Sequence, residues 1–397
     1  MHDALFRRLD ALFPELVEFR RDLHMHPELS FQEERTPARI ADFHRSLGLD
    51  VRTGVGGRGV VARLEGSRPG PTVALRADFD ALPIQDEKDV PYKSTVPGVM
   101  HACGHDIHTA GLLGVAKVLS EAREELSGAV VFIHQFAEEL TPGGARPMIE
   151  DGCLEGVDVI YGAHVHSPAD FGKVGVRPGP LMAAADSFDV EITGRGGHGA
   201  MPHLAVDPIV TASQLVVNLQ QIVSRGVDPL KSAVVTIGAL SAGNAFNVIP
   251  ETARLKGTVR AFDEEVRQSI KEALARIVDG TCQAAGATGR LDYHDGYPAV
   301  LNDEAEAARV MRLASELLGR ENVQTIEPMM GGEDFAYYLQ KVPGAFFFVG
   351  GRNQEQGAVH PHHHPLFDVD ERAMLVAGKL FISSILDYQR ASSPVPA

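Results

Sequence analysis

The run Met100-His101-Ala102-Cys103-Gly104-His105-Asp106-Ile107-His108 packs a thiol, three imidazoles and a carboxylate into nine residues. Cys103 and His105 are two apart, so in an extended chain their side chains point the same way and can grip one cation. Sulfur beside imidazole suits zinc-like transition metals rather than calcium or magnesium. Glu138-Glu139 is a second chemical pair. Adjacent residues of an extended chain project to opposite sides, so one carboxylate can bind a metal while its neighbour serves as a general base. His164 and His166 follow at the end of another apolar run, and His360-Pro361-His362-His363-His364-Pro365 forms a late histidine cluster. Taken singly, each reads equally as a loop histidine or a solvated acid, and spacing leaves open which histidine of the late cluster is a ligand.

The elements that position these groups alternate between strand and helix. Residues 59–64, 72–78, 128–133, 157–162 and 345–349 are apolar strand runs, with helices expected near 15–48, 105–125 and 370–390. Such alternation predicts an α/β fold with a mixed, largely parallel sheet. Ligands of these sheets sit beyond the carboxyl ends of the strands. Asp78 and Asp80, Glu138 and Glu139, and His164 and His166 all fall at such ends. Between residues 187 and 296 the pattern changes to β-α-β-β-α-β, the order of a ferredoxin-like layer. The expected organisation is therefore a discontinuous catalytic domain, 1–186 and 297–397, carrying an inserted domain at 187–296.

Composition limits the partners. The 397 residues carry 37 basic and 53 acidic groups, a net charge of −16. That excess opposes binding to nucleic acid or an anionic membrane, both of which need a basic footprint. No stretch approaches the roughly 18 apolar residues of a membrane span. The charged start Met1-His2-Asp3-Ala4-Leu5-Phe6-Arg7-Arg8 reads as an amphipathic helix rather than a signal peptide. Three widely spaced cysteines are no disulfide framework, and the expected compartment is the cytoplasm.

Several segments, in this order, carry a resemblance: Arg76-Ala77-Asp78-Phe79-Asp80-Ala81-Leu82-Pro83, His101-Ala102-Cys103-Gly104-His105-Asp106, Ala137-Glu138-Glu139, Gly196-Gly197-His198, Asn247-Val248-Ile249-Pro250, Gly332-Glu333-Asp334-Phe335 and His363-His364-Pro365. Together they resemble the amidohydrolase branch of the dinuclear metallopeptidases. That branch includes bacterial N-acyl-amino-acid amidohydrolases, hippurate hydrolases and plant indoleacetyl-amino-acid hydrolases. Phe79 and Phe136 depart from its commonest wording, and Phe136 is expected near the acyl pocket.

The resemblance implies two divalent ions per subunit (zinc, manganese, cobalt or nickel) on Cys103, His105, Glu139, His164 and His363. It gives Glu138 the place of the general base and Asp80 that of the acid beside the metals, and it does not assign Asp78 as a ligand. It also makes the inserted domain a lid that pairs subunits in a homodimer or homotetramer, with His198 set to stabilise an oxyanion. The implied reaction is hydrolysis of an N-acyl-L-amino acid, with hippurate hydrolysis and N-acetyl-diaminopimelate deacetylation as alternatives. A non-catalytic metal-binding protein is the reading from another class. Such a small-molecule substrate carries a free carboxylate, for which Arg260 and Asn247 are the expected partners.

Overall fold

The computed structural model describes residues 2–391. The described residues divide into two compact units, the first made of those within 1–181, 301–327 and 334–397, the second of 182–300 and 328–333.

In the first unit, α1 (His2–Met25) and α2 (Arg35–Ser46) precede β1 (Asp50–Val55), β2 (Gly59–Glu65) and β3 (Arg68–Asp78). Next come α3 (His105–Glu121), β4 (Ser127–Gln135), α4 (Ala145–Glu150), β5 (Val159–Asp170), β6 (Val174–Val176) and the short β7 (Gly179–Met182). The second unit supplies β8 (Ala184–Thr193), β9 (Gly197–His198), α5 (Pro208–Gln221), β10 (Ala233–Ala242), β11 (Val248–Ile249), β12 (Thr252–Ala261), α6 (Glu264–Ala285) and β13 (Thr288–Tyr297). After β14 (Val300–Asn302), the chain returns through α7 (Glu304–Leu318), β15 (Val323–Thr325), α8 (Ala336–Leu339), β16 (Gly344–Arg352) and α9 (Ala373–Ala391).

The large sheet of the first unit has the order β1-β2-β4-β3-β5-β16-β6-β15. Its centre is parallel, β4 with β3, β3 with β5 and β5 with β16, while β1, β2 and the β16–β6 pairing add antiparallel flanks. The fold is thus α/β with a mixed sheet, parallel where it matters for the site. The central strands are buried on both faces, as their unbroken Val/Ala/Ile/Phe runs require. The helix α3 is buried on nearly every side and packs with Leu9, Leu16 and Phe381 in one continuous core.

Strand β5 corrects the sequence reading. It continues past Gly162 to Asp170 because pairing with β16 persists, His164 opposite Phe348 and His166 opposite Gly350. Both histidines therefore lie within a strand, not beyond its end.

The second unit holds a four-stranded antiparallel sheet, β10-β12-β8-β13, with α5 and α6 packed on it. Both helices start on an aspartate: Asp207 accepts from the Ile209 and Val210 N–H groups, and Asp263 from that of Val266. A separate two-stranded ribbon, β9 with β11, sets Val248 opposite His198.

Candidate metal centre

Two parallel strand ends, the interior of β5 and two tight turns bring the donors together. Strand β3 ends at Asp78 beside Gln135 at the end of β4, so Asp80 and the Glu138-Glu139 pair leave the sheet side by side. The expected extended spacing of Cys103 and His105 is not what joins them. Gly104, at φ 103°, turns the chain between a loop thiol and the first residue of α3. A Cβ at Gly104 would lie 2.4 Å from Val165 Cγ1, so only glycine has both the conformation and the room. His363 also adopts positive φ, 64°, and its N–H donates to the Ala102 carbonyl, which ties the late histidine cluster to the loop of Cys103.

Cys103 Sγ stands 3.4 Å from His164 Nε2, and Glu139 Oε1 stands 3.3 Å from His363 Nε2 and 3.8 Å from His105 Nε2. Among the described groups whose donor atoms lie within 4.8 Å of one another are Cys103/His105/His164, Cys103/Glu139/His363 and His105/Glu138/Glu139, and Asp78/His105/His108 adjoins them. The structure thus gathers all five residues of the expected ligand set, with Glu138 beside them.

Each imidazole is aimed by its other nitrogen. His105 Nδ1 lies 3.1 Å from Asp80 Oδ1 and 3.0 Å from the Asp80 carbonyl, leaving Nε2 buried and, among the described residues, without a hydrogen bond. His164 Nδ1 donates to the Val165 carbonyl, so its Nε2 presents a lone pair to the cluster. This is how metal-binding histidines are commonly held. The neighbouring histidines are engaged elsewhere: His362 Nε2 accepts from Ser167 N–H and His364 Nδ1 from Leu366 N–H. His108 uses both ring nitrogens, Nδ1 with Asp78 at 2.6 Å and Nε2 with Val165 N–H.

The electrostatics fit a cation. Burial, reinforced by the Glu139 and Glu138 carboxylates, pushes the Cys103 thiol well above its ordinary range. Only positive charge among these groups would make the thiolate the stable form. Burial opposes a charge on His105, yet Asp78, Asp80 and Glu139 outweigh it and push the imidazole up to about 10. Burial holds His164 neutral, well below the usual histidine range. For Asp80 burial works against ionisation, but the bond with His105 and the backbone N–H groups of Glu139 and Glu138 keep it below the usual carboxylate range.

Sequence reasoning missed the layer beneath. Arg76, fully buried, donates through Nη1 to Asp78 (2.6 Å), through Nη2 to Asp334 (2.9 Å) and through Nε to Gln135 (2.9 Å). Asp78 is thereby committed to Arg76 and His108. A pair of opposite charges two residues apart inside an apolar strand, Arg76 and Asp78, was the available signal. Ser30, whose hydroxyl donates to Asp80, carried none. Phe136 is buried and packs edge-on against Phe31.

In the second unit, Ala200 N–H donates to His198 Nδ1, which leaves the proton on an exposed Nε2. The ribbon sets Asn247 beside it, Gly199 N–H donating to the Asn247 carbonyl. Arg260 stands on β12, an inner strand of its sheet. Its Nε reaches the Met330 carbonyl, and its Nη1 reaches the Asp186 and Val259 carbonyls and the Thr258 hydroxyl.

Comparison with known proteins gives the family. The profile of peptidase family M20/M25/M40 matches residues 74–387. An N-acyl-L-amino acid amidohydrolase of Geobacillus stearothermophilus is 47% identical over 305 residues, covering 77% of this chain and 82% of that protein. An N-acetyl-L-cysteine deacetylase of Bacillus subtilis is 43% identical over 378 residues, 95% of this chain and 88% of its own length. The crystal structure of the B. subtilis YXEP protein, described as a dinuclear metal binding peptidase, superimposes with a TM-score of 0.83 at 38% identity, covering 96% of this chain and 99% of that one. Fold and donor cluster define a metal-dependent amidohydrolase. The chain belongs to peptidase family M20/M25/M40.

Removing Arg76 would strand two buried carboxylates. Arg76→Met should therefore destabilise the protein by about 3–5 kcal/mol in urea unfolding. A loss below about 1 kcal/mol would show that Asp78 and Asp334 do not need their cation.

Proposed function

We propose that the protein hydrolyses the amide bond of N-acyl-L-amino acids, releasing a carboxylic acid and a free amino acid, with two divalent ions held by Cys103, His105, Glu139, His164 and His363. The observation that carries this reading is the convergence of those five donors beside Glu138. One thiol, three imidazoles and a carboxylate suit zinc, manganese, cobalt or nickel. Such ions supply Lewis acidity toward the amide carbonyl and lower the pKa of the attacking water.

The chain's own residues do the rest. Glu138 takes a proton from the attacking water and later returns it to the leaving amine, so proton and bond changes balance. Asp80 acts through His105, fixing which ring nitrogen faces the donors. His198, whose proton sits on Nε2, is a ready donor to the oxyanion of the tetrahedral intermediate. Asn247 and Arg260, through its Nη2, bind the substrate carboxylate. We assign the second unit the part of a lid that also joins subunits into a homodimer or homotetramer. Exposed Val217, Leu230, Leu240 and Phe246 support that assignment. Three free cysteines support a reducing compartment, the cytoplasm, and among the described residues no helix is long and apolar enough to cross a membrane.

Turnover of N-acetyl-L-methionine with added manganese, zinc or cobalt tests the activity. A chelator should abolish it, and activity that survives the chelator in a metal-free preparation would overturn the reading. Glu138→Gln should remove turnover at near-normal metal content, because the amide keeps its size but accepts no proton. Glu139→Gln should lose metal instead, and the opposite pattern would exchange the two roles. Arg260→Ala should cost roughly 2–4 kcal/mol in kcat/KM for a free-acid substrate and much less for the matching amide, which has no charge to pair. Equal losses on both would show that Arg260, with its backbone contacts, serves the fold alone.

A further inference from the structure

Among the described residues, positive φ at a non-glycine residue occurs at Phe31, Ala137 and His363. His363 belongs to the donor cluster and Ala137 directly precedes Glu138. Phe31 lies in the segment between α1 and α2, which has so far no part in the chemistry. That segment runs alongside the site: Leu29 bridges Ala81 in parallel, and Ala81 N–H donates to the Glu28 carbonyl. The Glu28 carboxylate anchors it, accepting from the N–H groups of Glu34, Arg35 and Thr36 at the start of α2.

Two side chains then reach across. Ser30 Oγ donates to Asp80 Oδ2 (2.8 Å), the same oxygen that accepts Glu139 N–H (3.0 Å). Glu33, fully buried, accepts the Ala137 N–H on Oε1 at 2.9 Å. Ala137 at φ 50° holds a conformation that alanine rarely adopts. Its N–H is buried and its carbonyl accepts from Gly144 N–H, so the turn into Glu138-Glu139 is pinned on both sides. We propose that Glu33 is a positioning residue for the Glu138-Glu139 pair, acting as a neutral hydrogen-bond acceptor that fixes the Ala137 turn.

The neutral form follows from the surroundings. Among the described residues Glu33 Oε2 is buried without a hydrogen-bond partner, which a carboxylate tolerates far less than a carboxyl group. Burial, with Asp80 nearby, pushes Glu33 up to about 8 against its backbone hydrogen bonds. What the site takes from Glu33 is reach and an acceptor, not charge.

Two conservative variants separate these properties. Glu33→Gln keeps the reach and the acceptor and is uncharged, whereas Glu33→Asp keeps the carboxyl group and is one methylene short. We expect Glu33→Gln to retain kcat within about threefold and Glu33→Asp to lose at least about tenfold in kcat with KM within twofold, since a displaced catalytic group costs rate more than binding. Cobalt(II) titration of the metal-stripped protein gives a readout besides activity. The d–d spectrum and affinity of Glu33→Gln should match the wild type, and those of Glu33→Asp should change, with affinity down by about tenfold. Should Glu33→Asp not fold, Glu33→Met takes its place, filling similar space without an acceptor. A Gln variant as impaired as the Asp variant, or an Asp variant equal to wild type, overturns the proposal. It rests on the roles given above to Glu138 and Glu139. If the wild type failed to hydrolyse N-acyl-amino acids, that reading would fall, while the cobalt spectra would still decide the part played by Glu33.

Discussion

Buried acid crowded against buried acid is the constraint on which this structure turns. Asp78, Asp80 and Glu138 are buried together at the end of the central strands, with the half-buried Cys103 thiol and Glu139 beside them. Charges of one sign in a low-dielectric site repel strongly, and an unpaired buried ion is among the costliest features a fold can contain. The protein answers in two tiers. Below, Arg76 shares its single positive charge between Asp78 and Asp334. Above, the His105 and His363 imidazoles and the Cys103 thiol gather around Glu139, a donor set of the kind through which bound cations complete the charge balance.

Geometry serves that balance. Parallel strands β4 and β3 release their chains on one side of the sheet, as α/β folds do at their binding sites, while β5 holds His164 there still paired with β16. Left-handed turns then aim the donors: Gly104 between Cys103 and His105, Ala137 before Glu138, and His363 itself. Strained backbone confined to one site is characteristic of function, because only surrounding contacts hold it. Here those contacts are visible: the Ala102 carbonyl for His363 N–H, Glu33 for Ala137 N–H, and the absence of space beside Val165 at Gly104.

Much of the site was legible in the sequence because its donors are rare residue types in dense runs next to strand signals. The run from His101 to His108, the Glu138-Glu139 pair and the late histidine cluster each announce possible ligands. Their mutual distances were not legible. Extended-chain spacing predicted the pairing of Cys103 and His105 for the wrong reason, since a turn and a helix start produce it. The end of β5 was misplaced because His164 and His166 look like loop residues, yet their backbones pair with β16. Which member of His362-His363-His364 faces the donors depends on one backbone conformation and on side-chain hydrogen bonds, which residue type alone does not encode. Ser30 and Glu33 were invisible for a related reason: a serine or glutamate between two helices has no periodicity, and its partners lie fifty to a hundred residues away.

The central claim, that Cys103 and the imidazoles gathered around it hold a pair of metal ions, is tested most directly by X-ray absorption at the metal edge of zinc-loaded protein. The account predicts a sulfur scatterer near 2.3 Å, imidazole shells near 2.0–2.1 Å, and a metal–metal vector of roughly 3.5–4 Å. The sulfur shell should vanish in Cys103→Ser. A spectrum with only oxygen and nitrogen neighbours and no metal–metal vector would contradict it.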